Sequence, residues 1–496
     1  MSNDRECRPQ QISLAKGLPM FSSADPAAME NEKQLLAAVK AKGAGARIRT
    51  YWGLTGPGWM QGAMTLGASS SAASLFAGAL VGCSLLWVQP VAMLFGVIML
   101  SAMVHQTLST GCRPFDAMRH YIHPAFAWTW ALSALISTIV WHIPQYAMAA
   151  GMAQDMVKAV SGWQPAPAQE QVSLLIIGFV ILCASVYITW GYGQKRKGVR
   201  LYERVMKGFL WLIIFAFALV VLNSFIKGKI SMTEILKGFV PNIPEADNPQ
   251  ARQKITSLIV GGFSGAIGIN MTFLFPYTLL ARGWGKEHRG LGSFDLLTGM
   301  LIPYSIATSL IIVAAAATLH NTPQVNQVFA ENRQLTPVLA ASMLEQAGIN
   351  HFVARIIFGL GILGMVMTTI SMQMLVAGFA VCEMFKVEPG GRLYRLACLI
   401  PTPAFLGVLF WQKMSYWIAI PTAALCGILL PIAYIGFFLL NNNKRYLGDD
   451  TPRGAKALVW NLGMITAIVL TTAGSVYYCV TVVFPFCQRL AGAWKG

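Results

Sequence analysis

Uncharged apolar stretches about as long as a bilayer is thick recur along this chain, and they constrain its fold more than any other feature. Between Trp52 and Thr110 there is no Asp, Glu, Lys or Arg. The same holds for 124–154, 171–194, 208–226, 256–281, 296–330, 356–382, 396–412, 414–443 and 457–488. A hydrocarbon layer needs ~20 apolar residues per helix. The first stretch is long enough for two helices turning at Val81–Ser84, and 296–330 holds one span and then an outer loop. An all-α polytopic membrane protein of about eleven spans is therefore expected. Only 11% of the residues are charged, against roughly 25% in soluble domains, which excludes a large soluble protein with buried helices.

The net charge of +17 would suggest nucleic acid if its placement did not explain it otherwise. Lys195, Arg196, Lys197, Arg200 and Arg204 lie between spans four and five. Arg113 and Arg119 follow span two, Arg282, Lys286 and Arg289 span six, Arg392 and Arg395 span eight, and Lys444, Arg445, Arg453 and Lys456 span ten. These loops share one side with Lys40, Lys42, Arg47 and Arg49, and by the positive-inside rule that side is cytoplasmic. The expected topology is N-terminus in, C-terminus out, with lipid rather than nucleic acid as the macromolecular surroundings. Residues 1–46 lack an apolar signal region, and Met29–Arg49 reads either as an amphipathic helix on the inner membrane face or as a disordered tail ending in a short helix. The nine cysteines are scattered without C-x-x-C spacing, so neither a zinc site nor a redox motif is expected. Cys479 and Cys487 could pair, with free thiols as the alternative.

Two spans carry residues that ought to break a helix. In the first, Gly56-Pro57-Gly58 opens the segment and Thr65-Leu66-Gly67-Ala68-Ser69-Ser70-Ser71 falls at its middle. Gly costs about 1 kcal/mol against Ala inside a helix, and Ser favours caps over interiors. Span six repeats the device in Gly261-Gly262-Phe263-Ser264-Gly265-Ala266-Ile267-Gly268-Ile269-Asn270-Met271-Thr272, followed by Pro276. Irregular backbone at membrane depth is tolerated where it lines protein or a water-filled cavity. Breaks in spans one and six imply paired halves, with cargo bound at the breaks. The expected organisation is a tail 1–49, a first five-helix repeat 50–226, an outer loop 227–254, a second repeat 255–443, and 444–496 carrying an inner loop, the eleventh helix and the outer C-terminus.

At these residues the chain resembles the Nramp family of metal-ion transporters, which have a LeuT-like 5+5 inverted-repeat fold. The resemblance runs from Gly56-Pro57-Gly58 through Leu85-Leu86-Trp87 and Leu108-Ser109-Thr110-Gly111 to Gly265-Ala266 and Glu383…Arg392…Arg395, over about 50–440. It implies a transporter, not an enzyme, without a cofactor. The family's Asp-Pro-Gly-Asn signature falls here on Gly67, Ala68, Ser69 and Ser70. Its Met-Pro-His-Asn falls on Ile269, Asn270, Met271 and Thr272, and its further histidine on Pro276. Its span-three acidic pair has no counterpart, and its span-ten glutamine falls on Leu429. A divalent ion at mid-membrane needs compensating charge, and all twenty Asp and Glu residues lie in tails, loops or span ends. No metal ligand set is therefore expected at the breaks.

The residues that remain suit another cargo. Gly67, Ala68, Ser69, Ser70 and Ser71 offer backbone N–H groups and hydroxyls at a half-helix N-terminus, which attracts negative charge. Ile269, Asn270, Met271 and Thr272 face them. Span three adds His142, Gln145 and Tyr146, with Pro144 between them; His142 is either a functional ionisable group or a neutral histidine donating to a carbonyl. Trp59, Trp141, Phe273, Phe275 and Tyr277 are aromatic wall candidates, with core packing as the alternative for each. Thr368, Thr369 and Ser371 could hold Na⁺, or bond back to their own helix. The expectation is a monomeric alternating-access transporter in a bacterial plasma membrane, carrying a small neutral, zwitterionic or cationic organic solute. Its rivals are divalent metal transport, as Mn²⁺ or hydrated Mg²⁺, and a membrane sensor; the residues do not name the coupling ion.

Overall fold

The computed structural model describes residues 26–40, 42–191, 196–245, 249–330, 337–346, 348–410, 419–485 and 488. No strand occurs among them. Two short helices, α1 (Pro26–Lys40) and α2 (Ala44–Leu54), precede a broken pair, α3 (Pro57–Thr65) and α4 (Ala68–Val81). There follow α5 (Val88–Thr110), α6 (Pro114–Tyr121), α7 (Pro124–Ser161), α8 (Pro167–Gly191), α9 (Arg196–Ile226) and α10 (Met232–Gly238). The second broken pair is α11 (Pro249–Ala266) and α12 (Ile269–Ala281), then α13 (Arg289–Leu296) and α14 (Ile302–Thr318). Beyond α15 (Pro323–Ala330) and α16 (Pro337–Gln346) lie α17 (Phe358–Phe385), α18 (Arg392–Ala397), a 3-10 stretch Thr402–Phe410, and helices Ala419–Asn441 and Gly454–Tyr478.

Among the described residues seven helices, some extended by the turns beside them, are long and apolar enough to cross a membrane, and nine if the bent pairs Pro57–Thr65 with Ser70–Leu85 and Cys426–Asn441 with Lys444–Asp450 are each one span. Leu210–Ile226 and Ile269–Ala281 are shorter apolar helices. Span boundaries follow local chemistry. Pro occupies the first turn of α3, α6 and α7, where its missing N–H has no helical partner to lose. Gly111 and Gly162 end α5 and α7 in the left-handed conformation, at φ +68° and +67°. The most hydrophobic stretch of α5 is 72% buried, whereas that of the helix from Gly454 is 11% buried, so α5 is central and the last helix peripheral. Outward-facing Phe179, Val180, Phe215, Leu222, Leu458 and Leu462 form the apolar surface a bilayer would cover.

Met29–Arg49 is divided between α1 and α2, and α1 docks on protein: Leu36 and Val39 are buried, and the Trp284 indole N–H donates to Glu32 at 3.2 Å. Pro144 lies inside a continuous α7 of 38 residues. Cys487, the expected partner of Cys479, lies outside the described residues.

At the far end of α7, Arg355 donates to Asp155 at 2.6 Å and to Glu345 at 2.9 Å, and His351 Nδ1 lies 2.8 Å from Glu345. The bonds from His351 and then Arg355 hold the Glu345 carboxyl below its usual range, and the bond to Glu345 raises the His351 imidazole. His351 thus contributes fully below its unfolded pKa of about 6.5 and loses that contribution as pH rises through its raised value. Glu345 contributes above about 4.3 and loses it as pH falls through its lowered value. His351→Ala should therefore lower the thermal midpoint slightly near about pH 6 and leave it unchanged near about pH 9. An equal offset at both pH values would refute the linkage.

Candidate functional site

The first break is a two-residue interruption. Leu66 ends α3 and Gly67, extended at φ −101°, begins α4. The break strands the Thr65 carbonyl at the end of α3, and a neighbouring hydroxyl satisfies it. Ser70 Oγ donates to the Thr65 carbonyl at 2.6 Å and Ser71 Oγ to the Gly67 carbonyl at 2.8 Å. The Ser70 and Ser71 hydroxyls are therefore spent on backbone rather than facing a cargo, the Ser69 side chain lies outside the described residues, and the capping residue is Gly67, which has no side chain to cap with. The Ala68 N–H, free at the start of α4, donates to Gln145 Oε1 at 3.2 Å.

The second break centres on Ile267-Gly268. Asn270 turns its Oδ1 to the Met271 N–H at 2.9 Å. Met271 Sδ accepts from the Gly268 N–H at 3.5 Å and touches Thr65 Oγ1 at 3.6 Å, whose proton goes to the Gln61 carbonyl at 2.8 Å, so one side chain touches both breaks. Thr272 is committed: its hydroxyl donates to the Ile269 carbonyl at 2.6 Å and accepts from Trp130 Nε1 at 3.2 Å. A Cβ on Gly268 would overlap both Asn270 and the Trp141 ring. Only glycine lets span three approach so closely.

That approach makes α7 the third wall. Trp141 covers the second break and Gln145, one turn on, meets the first. Between them His142 Nδ1 lies 2.7 Å from Gln373 Oε1 on α17, and its ring sits 5.3 Å from Tyr146. All these side chains are buried. Gln61 Nε2 and Oε1, His142 Nε2, Gln145 Nε2, Tyr146 Oη, Asn270 Nδ2 and Gln373 Nε2 nevertheless lack a hydrogen-bond partner among the described residues. Buried polar atoms are almost always paired in native proteins. Seven such atoms lie on helices that meet at two broken spans.

The structure thus brings Gln145, Asn270, His142 and Tyr146 around the breaks and turns Ser70, Ser71 and Thr272 away to backbone. Thr368 and Thr369 bond to the Met365 carbonyl at 2.7 and 2.9 Å, and reach the Ala63 and Met64 carbonyls at 3.4 and 3.3 Å. Ser371 bonds back to the Thr368 carbonyl at 3.0 Å. The two threonines thus lie against the end of α3, and Ser371 stays within its own helix. Phe273 and Tyr277 stack in a column with Phe379, and Phe275 is fully buried in the same core. Gln61 and Gln373 were missed; their signal was an uncharged amide inside an apolar run. No carboxylate joins the site: no Asp or Glu occurs in 57–115, 124–154 or 256–286. Glu383 faces Arg113 at 3.4 Å, and Asp295 holds the N-terminus of α3. Among the described residues no group of three His, Cys, Asp or Glu side chains could hold a metal ion.

The family model described as natural resistance-associated macrophage protein-like (Nramp) matches residues 58–479. A curated relative, the divalent metal cation transporter MntH of Mycobacterium leprae, is 22% identical over 446 residues, covering 88% of this chain and 94% of its own. A mutant of the Eremococcus coleocola manganese transporter shares the fold with a TM-score of 0.64 at 13% identity, each chain covered to 86%. A nucleobase-cation-symport-1 family transporter, solved in a closed conformation with bromovinylhydantoin bound, matches with a TM-score of 0.53 at 15% identity, covering 86% of this chain and 92% of its own. At these identities the solved structures establish the fold.

Proposed function

Because the chain belongs to the Nramp family, a family of membrane transporters, we propose that it moves a divalent metal cation by alternating access, with the cargo held between the two helix breaks. The observation that carries the site is the set of seven buried, unpartnered polar atoms around those breaks. The relative named as a divalent metal cation transporter, aligned over most of both chains, supports the metal. Neutral amide, imidazole and hydroxyl groups do not compensate a bare dication, so the metal keeps water or other ligands of its own, as Mg²⁺ characteristically does. The basic loops support an orientation with α1 and the 282–289 segment in the cytoplasm.

A second reading is favoured by one observation. The walls are neutral and partly aromatic, with Trp141 lying on the second break, which suits a small organic solute without any metal.

Uptake into proteoliposomes separates the two. Gln145→Ala and Asn270→Ala each remove a buried group worth about 1–3 kcal/mol to a partner, roughly tenfold or more in apparent affinity. Radioactive Mn²⁺ and Mg²⁺ uptake should fall by that factor in both variants at equal amounts of folded protein. Uptake that both variants leave intact would remove the cargo from this site. A wild type that moves amino acids or amines but no metal would establish the second reading.

A further inference from the structure

Backbone donors fix which way two amides of the site face. The Ala68 N–H can only donate, so Gln145 must present Oε1 to it, at 3.2 Å. The Met271 N–H, shared with the Gly268 carbonyl at 3.0 Å, also reaches Asn270 Oδ1 at 2.9 Å and favours the oxygen over the NH₂ there. Neither amide can flip without losing a bond, and both NH₂ groups are left buried and unpartnered among the described residues. Gln145 Nε2 points at the first break, 3.3 Å from where a Cβ on Gly67 would begin.

Both groups stand at the N-terminal ends of half-helices: Gln145 at α4, of 14 residues, and Asn270 within the first turn of α12, of 13 residues. Such ends carry partial positive charge. The sulfur of Met271, a soft donor at the second break, already accepts from the Gly268 N–H. At these two half-helix N-termini the fixed polarity is therefore that of hydrogen-bond donors, with Gln61 Oε1 the unpartnered acceptor on α3. A bare cation would meet the wrong end of each dipole, whereas an oxyanion would meet the right one.

We propose that the cargo presents carboxylate oxygens to Gln145 Nε2 and Asn270 Nδ2, as a small carboxylate carried either alone or as the chelating ligand of the divalent metal. The proposal rests on the reading of the breaks as the cargo site. A metal that arrives with its own carboxylates brings the negative charge that 57–115, 124–154 and 256–286 lack, and the complex enters the membrane with its charge compensated.

The test uses the purified full chain in liposomes, with radioactive Mn²⁺ alone, labelled citrate alone, and both together. Citrate-dependent uptake at least tenfold above that of Mn²⁺ alone is expected. Citrate label entering without Mn²⁺ identifies the free carboxylate, and the two labels entering only together identify the chelate. Gln145→Glu and Asn270→Asp keep size and shape but replace a donor by a negative acceptor, and each should cut citrate-dependent uptake tenfold or more. Gel filtration and melting temperature confirm that the variants are folded. Mn²⁺ entering equally fast without citrate, with Gln145→Ala abolishing that uptake, would overturn the carboxylate while leaving the cargo site in place. Uptake in no arm by folded protein would overturn it as well.

Discussion

Placing a carboxylate at the first break, in Gly67→Asp, should raise the affinity for free Mn²⁺ by ~10- to 100-fold over the wild-type protein. The backbone permits it, since Gly67 is extended at φ −101° and needs no glycine for its conformation. The space permits it too. A Cβ there would sit 3.2 Å from Thr369 Oγ1 and 3.3 Å from Gln145 Nε2, both side-chain atoms that can yield by a few tenths of an ångström. Asp is a favoured N-cap residue, and the α4 N-terminus with the Gln145 NH₂ would keep it ionised. A bound dication would then face one compensating charge, and a charge-assisted contact is worth roughly 1.5–3 kcal/mol. Gly67→Asn matches the size without the charge and should bind Mn²⁺ as the wild type does. Calorimetric titration of the three proteins decides it. Equal affinities for the Asp and Asn variants would mean that a missing carboxylate is not what distinguishes this site.

How far the sequence discloses such a site depends on the kind of information each residue carries. Spans are legible because a hydrocarbon layer forbids charge over ~20 residues, and both breaks are legible because Gly and Ser weaken a helix wherever they occur. The direction of a hydroxyl is not legible in that way. Ser70 and Ser71 read as groups for a cargo, yet the break strands the Thr65 carbonyl, which claims Ser70, and Ser71 bonds back to the Gly67 carbonyl of its own helix. Gln145 and Gln373 differ in the same respect. Gln145 stands beside a proline and a histidine and draws notice, whereas Gln373 is one amide in a long apolar run whose role appears only once His142 lies 2.7 Å away. The amphipathic pattern of Met29–Arg49 discloses an apolar face but not its covering. Leu36 and Val39 would suit lipid equally well in the sequence, and it is their burial against the protein with the Glu32–Trp284 bond that places α1.

Asp295→Ala should release the first half-helix from the bundle and raise amide hydrogen exchange in Pro57–Thr65 by tenfold or more, with exchange in Val88–Thr110 unchanged. Asp295, in the last turn of α13 and 1% exposed, accepts from the Gly56 N–H at 3.1 Å and the Gly58 N–H at 2.7 Å. These are the orphan donors of the α3 N-terminus, and the carboxylate also faces the positive end of that half-helix. From α9, Lys207 Nζ reaches the Thr55 carbonyl and hydroxyl at 3.3 Å each, and lies 4.9 Å from the Trp59 ring centre. Glycines bring the backbones together, since a Cβ on Gly62 would overlap the Gly299 carbonyl oxygen in the π-helical turn Leu297–Leu301. Every residue of α3 is buried, but its length is only 9 residues, too short for a helix to be stable without its neighbours. Removing the carboxylate leaves two buried N–H groups unmet, at about 1–3 kcal/mol each. That is enough to shift a local opening equilibrium at least tenfold. Asp295→Asn keeps one acceptor and should fall between the two. Exchange in Pro57–Thr65 that matches the wild type in both variants would mean that glycine packing, not Asp295, holds the half-helix in place.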